Sequence, residues 1–505
     1  MTPALRVPLL WIGAALTFAP SPVSAGTLRY AEDRAPALVQ PLFATTLAEA
    51  RLHELVYEGL FADDPQLRAR PQLAASSELA PDGRSMSITL ADRVWHDGRP
   101  VRADDVVFTI AAMKDPATAS SEAGRVAWIT SARAIDDRTV SLTFAAEERS
   151  PQDKLYFKIL PSHKFASPAV SRADPYRTAP IGSGPWRVTS FNDDASITMN
   201  AVGDRTVGID EFVMREVADK NYQAKLLIYE SLEALVRVLP RDLATLQSDR
   251  KIELYPYQTN SWWYFGMNHS HSALSNPKVR EALALMVDVP SLLAPIGTGD
   301  RVTGPFVPSS PFYDHAVPAV AHDPDRAAEL LAEAGYTFNG TRWLGGDGKE
   351  LRLRFVTASN LETAQDVLIN VQSQLRSRGV QVDTEFLGAA EWKDRVWRQR
   401  DFDVVLSQWS FDRNEDIWEQ FHSKGQRNFI GYRSEAVDEL LDGARTSVDP
   451  QEKRALLQRA HAAIAKDHPM VFLWTLDSYS ALSTKVQRVV VHPFYFFTWA
   501  SDWTL

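Results

Sequence analysis

Trp409-Ser410-Phe411-Asp412 sets a carboxylate directly behind an apolar run, Val404 to Leu406, that reads as a buried parallel strand. In open α/β sheets ligands bind beyond the carboxyl ends of the strands. A carboxylate at that place, flanked by Trp409 and Phe411, is partly desolvated and suited to a ligand ammonium. A charge-assisted hydrogen bond of that kind contributes roughly 1.5–3 kcal/mol. Asp412 also reads as half of an ion pair with Arg413, or as a solvated loop carboxylate, and spacing alone leaves these readings open.

Other groupings that resemble reactive sites have structural explanations. The stretch Val94–Ile110 gathers His96, Asp97, Asp104 and Asp105. Asp97-Gly98 is a tight-turn signal. Asp104 or Asp105 falls where a helix over Val106–Met113 needs an N-cap, so its carboxylate meets orphan N–H groups and the positive end of the dipole. His269 and His271 lack the third and fourth ligands that a zinc site requires. Ser275 and Lys278 match the S-x-x-K of a serine acyl-enzyme. The companion K-T-G is absent, and Asn276-Pro277 reads as a helix start. Gly182-Ser183-Gly184 lacks the third glycine of a dinucleotide loop and leads into a strand rather than a helix. These residues assign no catalytic group, no metal and no cofactor.

Aromatic residues stand out more. Of the 14 tryptophans, Trp262, Trp263, Trp392, Trp409 and Trp418 sit in polar company near strand ends. The run Asn260-Ser-Trp-Trp-Tyr-Phe-Gly-Met-Asn268 must send neighbouring rings to opposite faces of a strand. One face can pack, while the other meets solvent, another domain or a ligand. Together these rings suggest an aromatic-lined cleft between domains, where ligand sites commonly form.

The elements that would position these residues follow from local punctuation. Asn276, Asp323 and Asp449 each precede a proline and an amphipathic run, which is the signature of a capped helix with proline at its first position. Gly335 and Gly379 stop two of the helices. From about residue 350 to 410 the order is strand, helix, strand, helix, strand, an α/β unit with a parallel sheet. A mixed α+β half precedes it, and the boundary is expected within Gln258–Ser272.

At 505 residues the chain is long enough for two or three domains. Its net charge of -10 lacks the basic excess of a nucleic-acid binder. Arg6, the apolar stretch Val7–Phe18 and the small residues Val23-Ser24-Ala25 predict a secretory signal peptide cleaved after Ala25. That apolar stretch is short for a membrane span, so no membrane insertion is expected. With no cysteine there is no disulfide, no thiolate metal site and no lipid anchor. Export without an anchor points to the periplasm.

These residues add up to a family pattern. Leu55–Phe61 (LVYEGLF), Trp95–Thr109, Gly182–Val188 (GSGPWRV), Asn276–Asp288, Asp323–Tyr336, Phe402–Trp409 and Asn428–Leu441 resemble, in order and spacing, the family 5 bacterial extracellular solute-binding proteins. These are the peptide-, dipeptide- and nickel-binding components of ABC importers. The resemblance implies an α/β, two-lobed periplasmic-binding-protein (flytrap) fold with an additional subdomain in the N-terminal lobe. The expected division is a first lobe from residues 26–60, 180–265 and 480–505, an extra subdomain at 61–179, and a second lobe at 266–479. It implies a monomer that captures a peptide between its lobes and delivers it to an ABC permease with its ATPase. By the same resemblance Asp412 takes the peptide amine, with Trp409, Phe411, Arg413, Trp392, Trp263 and Tyr264 around the ligand. Departures include Val39-Gln40-Pro41 in place of the usual Leu-Asp-Pro, and no mapped residue for the ligand carboxylate beyond Arg398, Arg400 and Arg413 by position. A nickel chelate, an opine or a sugar are alternative ligands, with His422 the histidine considered for a metal chelate. An exported hydrolase, or a clamshell chaperone or sensor, are alternative functions.

Overall fold

The computed structural model describes residues 26–505 except 37, 193, 204–206, 259–260, 362 and 412–414. The expected signal peptide, Asp412 and Arg413 therefore lie outside the described residues.

Three sheets organise the molecule. An eight-stranded sheet runs, edge to edge, through Ile252–Gln258, Trp474–Ser483, Ala234–Leu235, Gly26–Glu32, Ile209–Glu216, Ile197–Ala201 and Trp186–Phe191, with Gly299–Arg301 added on Trp474–Ser483. A four-stranded antiparallel sheet, Ala74–Leu79, Ser85–Leu90, Thr139–Phe144 and Ile129–Ala134, lies within the inserted segment and packs on the helix Ala103–Lys114. The third sheet has the order Gln381–Leu387, Arg352–Ala358, Val404–Ser410, Ser261–Met267, Met470–Phe472. Its first three strands are parallel, and Ser261–Met267 pairs antiparallel with Val404–Ser410 on one side and Met470–Phe472 on the other. The α/β unit therefore carries two antiparallel strands from outside it in sequence, an addition that its local pattern does not announce.

Apart from Gly299–Arg301, a short strand that the second lobe adds to Trp474–Ser483, the chain passes between the large sheets twice, once between Gln258 and Ser261 and once through Leu473. Around the crossings the four strands form two antiparallel pairs, Ile252–Gln258 with Trp474–Ser483 and Ser261–Met267 with Met470–Phe472. The aromatic strand lies wholly in the third sheet, so the crossing falls a few residues before the expected limit at 265. The apolar clusters respect this division. One is built on the first and second sheets, from Leu28 to Trp503, and two lie on opposite faces of the third sheet. The crossover strand Trp474–Ser483 contributes to clusters on both sides, Trp474 in the second lobe and Leu482 in the first. Two bodies with separate cores and two covalent links are the architecture of a hinge.

The punctuated stretch Val94–Ile110 is scaffold. The helix begins at Ala103 rather than Val106, so Asp105 occupies its third position and accepts from the Arg102 N–H (2.9 Å) at the helix start. Asp105 also accepts from Trp95 Nε1 (3.0 Å) and from the Ser162 N–H (2.8 Å). His96 grips the glycine motif: its Nδ1 accepts from the Gly182 N–H (3.2 Å) and its Nε2 lies 3.0 Å from the Gly184 carbonyl. Among the described residues no helix is long and apolar enough to cross a membrane.

Candidate functional site

The three parallel strands of the third sheet end at Ala358, Leu387 and Ser410. Ser410 is paired with Ser261, the first residue of the strand that arrives from the other lobe. The carboxyl ends of the parallel strands therefore point at the hinge, where ligands bind in open α/β sheets.

On one face of this end the rings form a continuous chain. Phe411 stacks on Trp262 (centroids 6.4 Å), Trp262 meets Tyr264 (5.2 Å) and Phe472 (5.4 Å), and Tyr264 stacks on Trp409 (6.2 Å). Trp409 continues to Phe429 (6.0 Å) and Trp397 (6.5 Å), and Trp397 to Trp392 (6.2 Å). Alternation along Ser261–Met267 produces this face: Trp262 and Tyr264 point to it. Trp263 points away, into the opposite core, and stacks on Trp474 (6.2 Å). Of the expected ligand residues, Trp409, Phe411, Trp392 and Tyr264 thus lie together and Trp263 does not join them. Helices cover both faces of the strand, so all seven of its residues are buried.

The placement of Trp392 and Trp397 depends on an uncommon element. A short α-helix, Ala389–Trp392, runs into a π-helix, Lys393–Gln399. Hydrogen bonding from i to i+5 brings residues five apart one above the other, and π segments recur at functional sites. Arg395 pins the segment through Glu385 (2.7 Å) and Asp401 (3.1 Å). Trp397, Phe429 and Phe472 were not singled out from sequence. The Trp392–Trp397 interval was the available signal, but five residues is not an α-helical repeat.

Three donors in this cluster are unsatisfied. Trp262 Nε1, Trp392 Nε1 and Trp409 Nε1 are buried and have no hydrogen-bond partner among the described residues. A buried orphan donor costs roughly 1–3 kcal/mol. Burial pushes the Tyr264 phenol well above its ordinary range, keeping it neutral, and Ser407 opposite it is its hydrogen-bond partner. Burial lowers the pKa of Lys453, which interacts electrostatically with Lys154 and Glu148 of the inserted subdomain and with Asp416 of its own lobe.

Other candidates are used by the fold. His422 is buried, stacks under Trp418 (4.2 Å) and accepts from the Lys424 N–H (3.0 Å), and Trp418 donates to Asp442 (2.8 Å). Arg398 lies near Asp394 (3.4 Å), and Arg400 donates to the Asn428 carbonyl (3.3 Å). Ser275 Oγ donates to the Ser272 carbonyl (2.8 Å), while Lys278 pairs with Glu333 (2.9 Å), so the S-x-x-K residues serve separate structural contacts. His269 lies beside the Pro469 carbonyl (3.3 Å), and His271 sits 3.9 Å from Asp403.

Comparison with known proteins agrees with this architecture. The chain is 24% identical over 494 residues to the oligopeptide-binding protein AppA of Bacillus subtilis, covering 94% of this chain and 90% of that one. It is 27% identical over 472 residues to the glutathione-binding protein GsiB of Shigella dysenteriae, covering 89% and 88% respectively. Its fold matches the crystal structure of NikZ from Campylobacter jejuni in complex with Ni(L-His), with a TM-score of 0.78 at 23% identity, over 95% of this chain and 99% of that one. The family model for bacterial extracellular solute-binding proteins, family 5 Middle, matches residues 68–428. With two lobes, two crossings and an aromatic face turned to the hinge, the chain belongs to the family 5 bacterial extracellular solute-binding proteins.

Proposed function

We propose that this protein is exported to the periplasm as a monomer, captures a peptide between its lobes, and hands it to the permease of an ABC importer without chemical change. The observation that carries the peptide reading is the set of three buried indole N–H groups on one aromatic face, Trp262, Trp392 and Trp409, that have no partner among the described residues. A peptide backbone offers carbonyl acceptors at regular spacing while its side chains vary, so recognition through donors and ring faces tolerates many sequences. Asp412 supplies the charge for the peptide amine. The relatives named for oligopeptide and glutathione binding lend support at the level of ligand class.

Calorimetry on the intact exported protein tests this. Short free peptides should bind, and the same peptides N-acetylated should bind about tenfold more weakly or worse, the loss of one charge-assisted hydrogen bond. Trp409→Phe keeps an aromatic side chain, though a smaller one, and removes one donor. It should weaken peptide binding by about 1 kcal/mol, with a separate cost of roughly 1–2 kcal/mol to the unliganded protein from the lost buried volume. Equal affinity for free and acetylated peptides would exclude Asp412 as the amine anchor. A non-peptide solute carried through purification, with no peptide binding, would overturn the reading itself.

A further inference from the structure

Beside the aromatic face, the second lobe holds a cavity of about 610 Å³. It lies between the helices Pro277–Met286 and Pro450–Asp467, under the loop 314–321, and its back wall is the edge strand Met470–Phe472 of the third sheet. That volume is typical of small-molecule sites. Most of the wall is apolar and made of small residues, among them Val317, Pro318, Ala462 and Ala465.

One cation at this cavity is unusual. Arg301 ends the strand Gly299–Arg301, which is paired to the crossover through Trp474. Its Nη2 donates to the Val320 carbonyl (3.1 Å), and its Nε is buried without a partner. Among the described residues it forms no ion pair within 4.0 Å: the acid that acts on it, Asp288, is committed to Ser291. The other charges at the wall are Glu281, Asp314 and Lys466, and the Asp314 carboxylate accepts from the Ala316 N–H (3.0 Å). A partly desolvated guanidinium with no acidic side chain in an ion pair with it is suited to a carboxylate, which it holds by charge-assisted hydrogen bonding.

We propose that this cavity is a second ligand site, separate from the interlobe cleft, that takes a small monocarboxylate with an apolar body: Arg301 holds the carboxylate and the Val317–Ala462 wall covers the tail. The site adjoins the hinge, because Phe472 both lines the cavity and contacts Trp262 of the aromatic face at 5.4 Å. It does not rest on the identity of the transported solute.

The test uses octanoate as the probe on the intact protein, read by calorimetry, with octanol and octylamine as controls. Octanoate should bind measurably, and both controls at least tenfold more weakly. Arg301→Gln should weaken octanoate binding tenfold or more. Ala462→Trp, which fills the cavity, should abolish it while the circular dichroism spectrum stays native. Trp409→Phe should leave octanoate affinity unchanged, which separates this site from the cleft. No octanoate binding by the unaltered protein, equal affinity for octanol, or undiminished binding in Ala462→Trp would each overturn the proposal. If Arg301→Gln does not fold, the filled-cavity variant and the octanol comparison decide alone.

Discussion

His461 is fully buried, its Nε2 2.9 Å from Thr303 Oγ1 and its ring against Tyr313 (4.7 Å). Burial lowers its pKa to about 4, and burial with Lys158 nearby lowers that of His53 to about 3. Both are neutral in the folded protein at pH 5, whereas in the unfolded chain they take up protons below about 6.5. The unfolded state therefore binds more protons throughout the window from 6.5 down to the folded values, and stability falls as the solution is acidified across it. Between pH 6.5 and 5, where ordinary carboxylates remain ionised, each contributes a loss of roughly 1–2 kcal/mol. Urea midpoints measured at pH 7, 6 and 5 should decline, and His461→Gln should flatten the slope. A midpoint independent of pH over that range would contradict the burial argument. Residues of this kind are hard to read from sequence, because a histidine on a helix gives no sign of what covers it. Asp105 is similar: its place at a helix start follows from local chemistry, while its bonds to Trp95 and Ser162 depend on tertiary packing.

The glycine motif belongs to the scale of elements. A Cβ on Gly182 would stand 1.8 Å from the Val56 carbonyl, and the Gly184 N–H donates to that same oxygen (2.9 Å). The end of helix Leu47–Val56 is thus pressed onto a backbone that only glycine leaves room for. His96 holds the other side of the loop, so two sequence features that looked like separate chemistry form one joint between the inserted subdomain and the main sheet. Gly182→Ala should destabilise by about 3 kcal/mol or prevent folding. Gly124→Ala, where a Cβ meets nothing within 4 Å, should stay within about 0.5 kcal/mol of the parent. Similar urea midpoints for the two variants would refute the close-approach account. Helices whose caps lie in the local sequence were legible: Asn276, Asp323 and Asp449 each cap where a proline follows. The π-helix was not, because its ring spacing is read as irregular on an α-helical template. Nor was the antiparallel pairing within the third sheet, because the partners of Ser261–Met267 lie more than a hundred residues away.

At the scale of the whole molecule, separate apolar cores and two crossings predict lobes that move as bodies and are joined chiefly by the ligand. Closure then needs a ligand that contacts both lobes, since only differential affinity for the closed form shifts the population. Lys453 feels charges from both lobes, Asp416 of its own and Glu148 and Lys154 of the other, so polar groups of the two lobes lie within electrostatic range of one another. Two consequences are measurable together. X-ray scattering should show the radius of gyration, about 23 Å for a compact chain of this length, contracting as peptide is added and returning when it is removed. Denaturation without ligand should resolve into two transitions, because neither core completes the other. Saturating peptide at a hundred times its Kd should raise the lower transition by about 2.7 kcal/mol and draw the two together. A ligand that bound tightly yet left both the radius and the two transitions unchanged would mean that one lobe alone forms the site, and the hinge would have no part in capture.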